Sequence, residues 1–270
     1  RNIGYLPRSR TAARATISFF VDTSNILPTP ASITLKKGPV AATSSPFGNS
    51  SLVFSICEDI TVPVKDNIAN FNDIYIYEGT LLTSEFTKSS ADPNQKFILP
   101  NTGIDSTLIK VKVKTNTFAT SGVKYSFSDS LFDINSDSKV YYLQEVEDER
   151  YQIFFGDGIF GKKLEEGNVA VVDYIVSSGD GGNGVQSFQF AGKLTYTRNA
   201  VDYTVTSGIS LLTTGLQSSG GEGIESVDSI KKFAPRIYAS QNRTLTSNDY
   251  ETLIPNKIYP ETESISVFGG

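Results

Sequence analysis

Apolar and polar residues alternate along most of this chain in runs of about four to eight, the period of half-buried strands rather than helices. Ala15-Thr16-Ile17-Ser18-Phe19-Phe20-Val21, Leu52 to Cys57, Ile74 to Tyr77 and Thr107 to Val113 are predicted strands, the last with one clean wet face. Further runs of the same kind cover Val140 to Val146, Tyr151 to Phe155, Val169 to Val176, Val185 to Phe190 and Asp202 to Thr206. Clusters of Gly, Pro, Asn, Asp and Ser separate them, as turns require.

The pattern changes at Gly220-Gly221-Glu222-Gly223. Ile230, Phe233 and Ala234 recur at the three-and-four spacing of a helix face, Ser226 stands where a hydroxyl caps free amides, and Pro235 is expected to kink or end the helix. Thr246 and Asp249 announce a second helix carrying Tyr250, Leu253 and Ile254 up to Pro255, and Ser264 to Phe268 reads as a closing strand. The fold class is therefore mainly β, with multi-stranded antiparallel domains and a smaller C-terminal α+β segment. The expected division is a β-rich body over 1–219, split by a central insertion near 66–150, then a helix-helix-strand start of a small α+β unit over 220–270. One strand cannot form a sheet alone, so this last unit is expected to find its partners beyond Gly270 or on another chain.

Composition narrows the function. The 270 residues carry no His, Met or Trp, so every His-based nucleophile arrangement and every His-liganded zinc site is excluded within this chain. The missing initiator Met, with the opening Arg-Asn-Ile-Gly, predicts a piece of a longer polypeptide. Net charge is −5, against a basic footprint for nucleic acid. Arg8, Arg10 and Arg14 cluster locally, as a solvated strand entry or a contact to an acidic neighbour. No run approaches the ~18 apolar residues of a membrane helix. Cys57, the single cysteine, lies in an apolar run where a thiol behaves as a small hydrophobe.

Four glycine or acid motifs invite chemistry. Gly156-Asp157-Gly158-Ile159-Phe160-Gly161-Lys162 has the glycines and lysine of a phosphate loop, but Lys163 stands where the Mg²⁺-binding hydroxyl belongs and a strand follows. A tight inter-strand turn explains it better. Gly179 to Gly184 has dinucleotide-loop spacing, yet period-two sequence follows, so a flexible loop between strands is expected. Asp133, Asn135 and Asp137 alternate like calcium ligands, but Ser138 and Gln144 occupy the positions of the required Gly and Glu. Glu145, Glu147, Asp148 and Glu149 read as one exposed strand face ending in a turn. With 13 Tyr and 17 Phe, a lectin-like, glycan-binding adhesin is a further reading, although strands and cores are aromatic anyway.

Three segments taken together resemble the baseplate J-like family of contractile-tail phages. They are Gly4-Tyr5-Leu6-Pro7-Arg8; Tyr151 to Lys162 continuing through Glu166-Gly167-Asn168 and Val172-Asp173-Tyr174 to Gly184; and Gly220-Gly221 with Glu225-Ser226, Ala234-Pro235-Arg236, Asn242 to Thr246 and Asp249-Tyr250-Glu251. The resemblance implies a structural wedge subunit in the virion's tail baseplate, assembled in the host cytoplasm. Such a subunit associates with itself as a homodimer and with other wedge proteins, and carries the rearrangement that triggers sheath contraction. It implies no enzyme activity and no catalytic, cofactor or metal residues, and no nucleic-acid or membrane partner. Gly156, Asp157, Gly158, Gly161, Glu225, Arg243, Asp249 and Tyr250 are then fold determinants, with Tyr250 and Arg243 presented to a neighbour by the second helix.

Overall fold

Alternation becomes burial in the first strand. The computed structural model describes residues 7–43, 51–92, 95–129, 133–212, 217–240, 247, 250–251, 254 and 265–267. In β1 (Arg14–Asp22), Ala15, Ile17, Phe19 and Val21 point inward and their neighbours outward. After β2 (Ser32–Leu35), β3 (Gly38–Thr43), β4 (Val53–Ile56) and β5 (Ile60–Lys65), the long β6 (Ile68–Glu78) pairs antiparallel with β1 from Asp22↔Ile68 to Arg14↔Tyr77. The β5–β6 hairpin turns on Asp66 and Asn67, at φ 50° and 62°. Two successive left-handed residues match the twist of a two-residue hairpin, and Asp and Asn tolerate that conformation best among side chains other than Gly.

The chain then leaves this sheet to build a second one. It consists of β7 (Thr80–Thr87), β8 (Phe97–Ile98), β9 (Lys110–Lys114), β10 (Val123–Phe127), β11 (Val140–Val146), β12 (Arg150–Phe155) and β13 (Val169–Val176), in the order β7-β13-β9-β10-β11-β12-β8. All its ladders are antiparallel except β10 with β11. In β13 seven successive residues are buried, as a strand covered on both faces should be. β14 (Phe188–Phe190), β15 (Leu194–Arg198), β16 (Val201–Val205) and β17 (Ile209–Leu212) return to the first sheet and complete its ten strands, before α1 (Val227–Ser240).

Each sheet has its own core. Phe19 and Phe71 stack at 4.5 Å in the first, among Ile17, Ile33, Leu35, Phe54 and Ile76. Leu99, Ile104, Val111, Ile153, Val172 and Tyr174 fill the second. A small apolar cluster of Ala12, Cys57, Leu108 and Ile175, flanked by Tyr77 and Leu81, joins them.

At the C-terminal end, the helix does not take the ending one of the two outcomes expected at Pro235, and the closing strand is corrected. α1 runs through Pro235 to Ser240, because the proline removes only one amide donor and Lys231, four residues earlier, is exposed so that water can reach its freed carbonyl. Ile265 to Val267 form no strand, since no partner strand lies beside them among the described residues; the Val267 amide donates to the Glu251 carboxylate at 3.2 Å instead.

Candidate functional site

The glycine loop is a closed turn. Gly156 and Lys163 form a bridge at its neck. A Cβ on Gly156 would stand 2.0 Å from the Gly161 carbonyl carbon, and Gly161 itself sits at φ 97°, so the neck closes only with glycine on both sides. The Asp157 carboxylate accepts from the Ile159 and Phe160 amides at 2.8 and 2.9 Å, and these bonds hold its carboxyl below the usual range. The Gly158 amide donates to Gly161, Gly161 to the Asn135 carbonyl and Lys162 to the Ser138 carbonyl. Each of these amides that would face a phosphate already has a protein acceptor, and no helix follows Lys162. The nucleotide reading of this loop fails on both counts. Asn135 is likewise spent on its own turn, its side-chain oxygen accepting from Asp137 and Ser138.

The second glycine segment departs from its expected flexible character. Gly179–Gly182 form a 3₁₀ turn wedged where the two sheets meet. A Cβ on Gly182 would lie 2.7 Å from Glu78 Cγ, and one on Gly221 only 2.2 Å from the Gly179 carbonyl oxygen. Glycine serves here for close backbone approach. Around this turn, residues 8–14 bridge to 219–222 through Thr11↔Glu222 and Arg14↔Ser219.

Four buried carboxylates tie the junction. Glu78, at the end of β6, accepts from Ser177 Oγ at 2.7 Å and the Ser178 amide at 3.0 Å. Asp105 accepts from the Ala12 amide at 2.8 Å and from the Thr107 amide and hydroxyl at 2.9 and 2.6 Å. Burial pushes the Asp105 carboxyl above the usual range despite these donors. Asp173 in β13 takes Lys37 Nζ at 2.5 Å and the Thr83 hydroxyl at 2.6 Å, joining the two sheets. Glu225, expected as a fold determinant, accepts from the Arg8 amide at 3.0 Å and from Ser229 Oγ at 2.6 Å, fastening the entering chain to the first turn of α1. Ser226 caps that turn as expected, accepting from the Ser229 amide at 3.2 Å.

The arginines near the junction find charge or ring partners inside the chain, although the buried Nε atoms of Arg8 and Arg10 have no hydrogen-bond partner among the described residues. Arg8 pairs with Glu222 at 3.0 Å, Arg10 reaches Glu149 at 3.8 Å, and Arg14 lies over the Tyr75 ring. The acidic run is therefore not simply one exposed strand face. Glu145 lies in β11 with its carboxyl raised by burial and then by Glu149 and Glu225, while Glu147–Glu149 turn away as a 3₁₀ segment with Asp148 at φ 61°. Tyr250 is helical and exposed, whereas Arg243 and Asp249 lie outside the described residues, as do Thr246 and Leu253. Among the described residues no three His, Cys, Asp or Glu side chains converge as a metal site. Glu78 and Asp105 were not singled out from sequence and Asp173 entered only within the resemblance, although an acid inside or at the end of an apolar run, as in Val171-Val172-Asp173-Tyr174-Ile175, is the signal that marks two of the three.

The span of the second sheet carries the decisive likeness: residues 83–178 match the family model for the third domain of bacteriophage baseplate wedge protein gp6. The likeness is to a phage baseplate wedge protein. Over 98% of its length the chain is also 21% identical to baseplate wedge protein gp6 of Enterobacteria phage T4, and it spans 40% of that protein's length. Both matches are to phage baseplate wedge protein gp6, one to its third domain and the other over nearly the whole of this chain. The matched segment starts and ends within three residues of β7 and β13, so the wedge domain and the seven-stranded sheet are the same stretch of chain.

Proposed function

We propose that this chain is a non-catalytic building part of a phage tail baseplate wedge, akin also to the baseplate J-like family. In this reading it contacts other wedge proteins and a second copy of itself, takes its place in the virion's baseplate after assembly in the host cytoplasm, and passes on the movement that releases the sheath. The single observation that carries the reading is the coincidence of the wedge-domain match with one complete sheet. The packed junction agrees with it, because a part that transmits movement needs its two sheets held in fixed relation. The same reading divides the chain into a β-rich body over 1–219 and the start of an α+β unit over 220–270, with the insertion expected near 66–150 now taken as the seven strands from Thr80 to Val176.

Phe233→Asp provides the test. Phe233 is half-buried on α1, and Ala234 beside it is buried. The variant is expected to weaken co-purification with the phage's other wedge proteins and self-association in sedimentation, and to leave the melting temperature of the β body within a few degrees. A monomer at high concentration that captures no wedge protein even as wild type would overturn the proposal. A glycan cleft needs two exposed rings with polar groups between them. In the groove on the second sheet Phe127 is exposed while Tyr125 and Tyr141 are buried, so that groove lacks the pair of exposed rings an adhesin needs.

A further inference from the structure

β10 changes partners halfway along. Val123, Lys124 and Tyr125 pair antiparallel with Val113, Lys112 and Val111 of β9, whereas Ser126 and Phe127 pair parallel with Val140 and Tyr141 of β11. Beyond Tyr125 the two ladders part, and the Tyr141 hydroxyl crosses to the Ile109 carbonyl at 3.0 Å. The opening is a groove of about 510 Å³ whose lining includes Lys110, Lys112, Lys124, Glu58, Phe127 and Leu143.

Its charge is out of keeping with the chain. Lys112 and Lys124 stand directly opposite each other in the β9–β10 register, an arrangement in which like charges destabilise a sheet. Lys124 is relieved by Glu58, which reaches in from the turn after β4 and pairs with it at 2.5 Å. Glu58 is held below the usual carboxylate range by that lysine's hydrogen bond, although burial opposes it, with Lys110 and Lys112 adding to the pull at longer range. Among the described residues, no carboxylate lies within ion-pair distance of Lys110 or Lys112. Among the lining residues three cations stand against one anion, and Asp173, opposite Lys110 on β13, is already held by Lys37, so the groove keeps an excess of positive charge in a protein of net charge −5.

We propose that this groove binds an extended acidic segment of a neighbouring protein, with alternate carboxylates on Lys110 and Lys112 and an apolar side chain against Phe127 and Leu143. Residues two apart in an extended segment lie ~7 Å apart on one face, which is also the spacing of Lys110 and Lys112 along β9. A nucleic-acid backbone fits worse, since its successive phosphates lack the alternate apolar side chain that Phe127 and Leu143 would take. The inference deepens the wedge reading, on which it rests for the owner of the segment, by naming the chemistry of one contact.

The test uses the 270-residue chain and a fluorescein-labelled peptide of about seven residues alternating Glu and Leu, followed by anisotropy at low and physiological salt. Wild-type protein is expected to bind, more weakly as salt rises. Lys110→Ala with Lys112→Ala should lose roughly tenfold in affinity, and Glu58→Gln, which frees Lys124, should gain about threefold. The gain cannot come from misfolding, so it guards against a double variant that fails to fold. Absence of binding at millimolar peptide, equal binding of a Lys-Leu peptide, or tighter capture of a single-stranded oligonucleotide through the same lysines would each overturn the proposal. The assay contains no wedge protein: its failure leaves the wedge reading standing, and failed co-purification alongside peptide binding would sink the wedge reading alone.

Discussion

Asp105→Ala probes the junction directly. The carboxylate is 1% exposed, and of its donors the Ala12 amide belongs to a residue 3% exposed, while Thr107 is at the surface and can turn to water. The Ala12 amide is thus the group left without an acceptor, at a cost of about 1–3 kcal/mol. Relief of a poorly solvated charge offsets part of this, and the small cavity left by the side chain adds to it. A net local loss of about 2 kcal/mol raises the open population of residues 8–14 by roughly 30-fold. Arg8, Arg10 and Arg14 provide tryptic sites within that segment, so limited trypsinolysis reads the opening when closing is faster than cleavage. Cleavage after Arg10 should accelerate by about that factor, while urea unfolding of the body shifts less. An unchanged cleavage rate would show that Asp105 does not hold the entering chain, and the reasoning from its hydrogen bonds would be wrong.

The same residue makes a pH prediction. Because burial raises its folded value above the unfolded one, the native protein holds the proton more tightly. Its contribution is therefore fully present below the unfolded value near 3.8 and is lost as pH rises through the folded value. Wild-type stability relative to Asp105→Asn should thus climb as pH falls from neutrality towards about 4, measured by urea midpoints; a flat difference would refute the shift. Gly156→Ala should cost about 3 kcal/mol or more by driving a Cβ into the Gly161 backbone, and Gly158→Ala, where the nearest atom is Lys163 Cβ at 3.9 Å but φ is +95°, about 1–2 kcal/mol. Equal melting temperatures for the two variants would contradict the closed neck. Cys57, with its thiol pushed up to about 12 by burial, should resist Ellman's reagent at pH 8 in the folded chain and react fully in urea.

Long, regular alternation was legible in the sequence. β1, β11, β12 and β13 fall where the apolar pattern places them, because each commits a whole face to a core and a one-residue slip would expose it. Strands with an interrupted or polar pattern were not legible: β3 and β5 contain Pro39 and Pro63, and β7 is rich in Thr and Ser, so their pairing is decided by neighbours distant in sequence. β9 starts three residues later than its pattern, because Asp105 caps a 3₁₀ turn over Ser106–Leu108. The candidate site was legible unevenly. The 156–161 turn was read from its own residues, and Glu225 came only with the family resemblance, while the glycines at 179–184 read as loop freedom when they are a contact. Close approach depends on the segment that arrives opposite, here 218–222, and local sequence does not display it.

The register Thr80↔Val176 places the entry to the second sheet and the exit from it side by side. A load that draws the two sheets apart therefore pulls both crossing strands from the same end, and the β7–β13 ladder meets it one hydrogen bond at a time, like a zipper. Asp173 with Lys37, Asp105 with Ala12 and Glu78 with its serines bear the same load side by side. Mechanical resistance at this joint thus resides in three side-chain rivets acting in parallel, and once they give way the inserted sheet can swing on its paired strands without being torn from the chain that carries it.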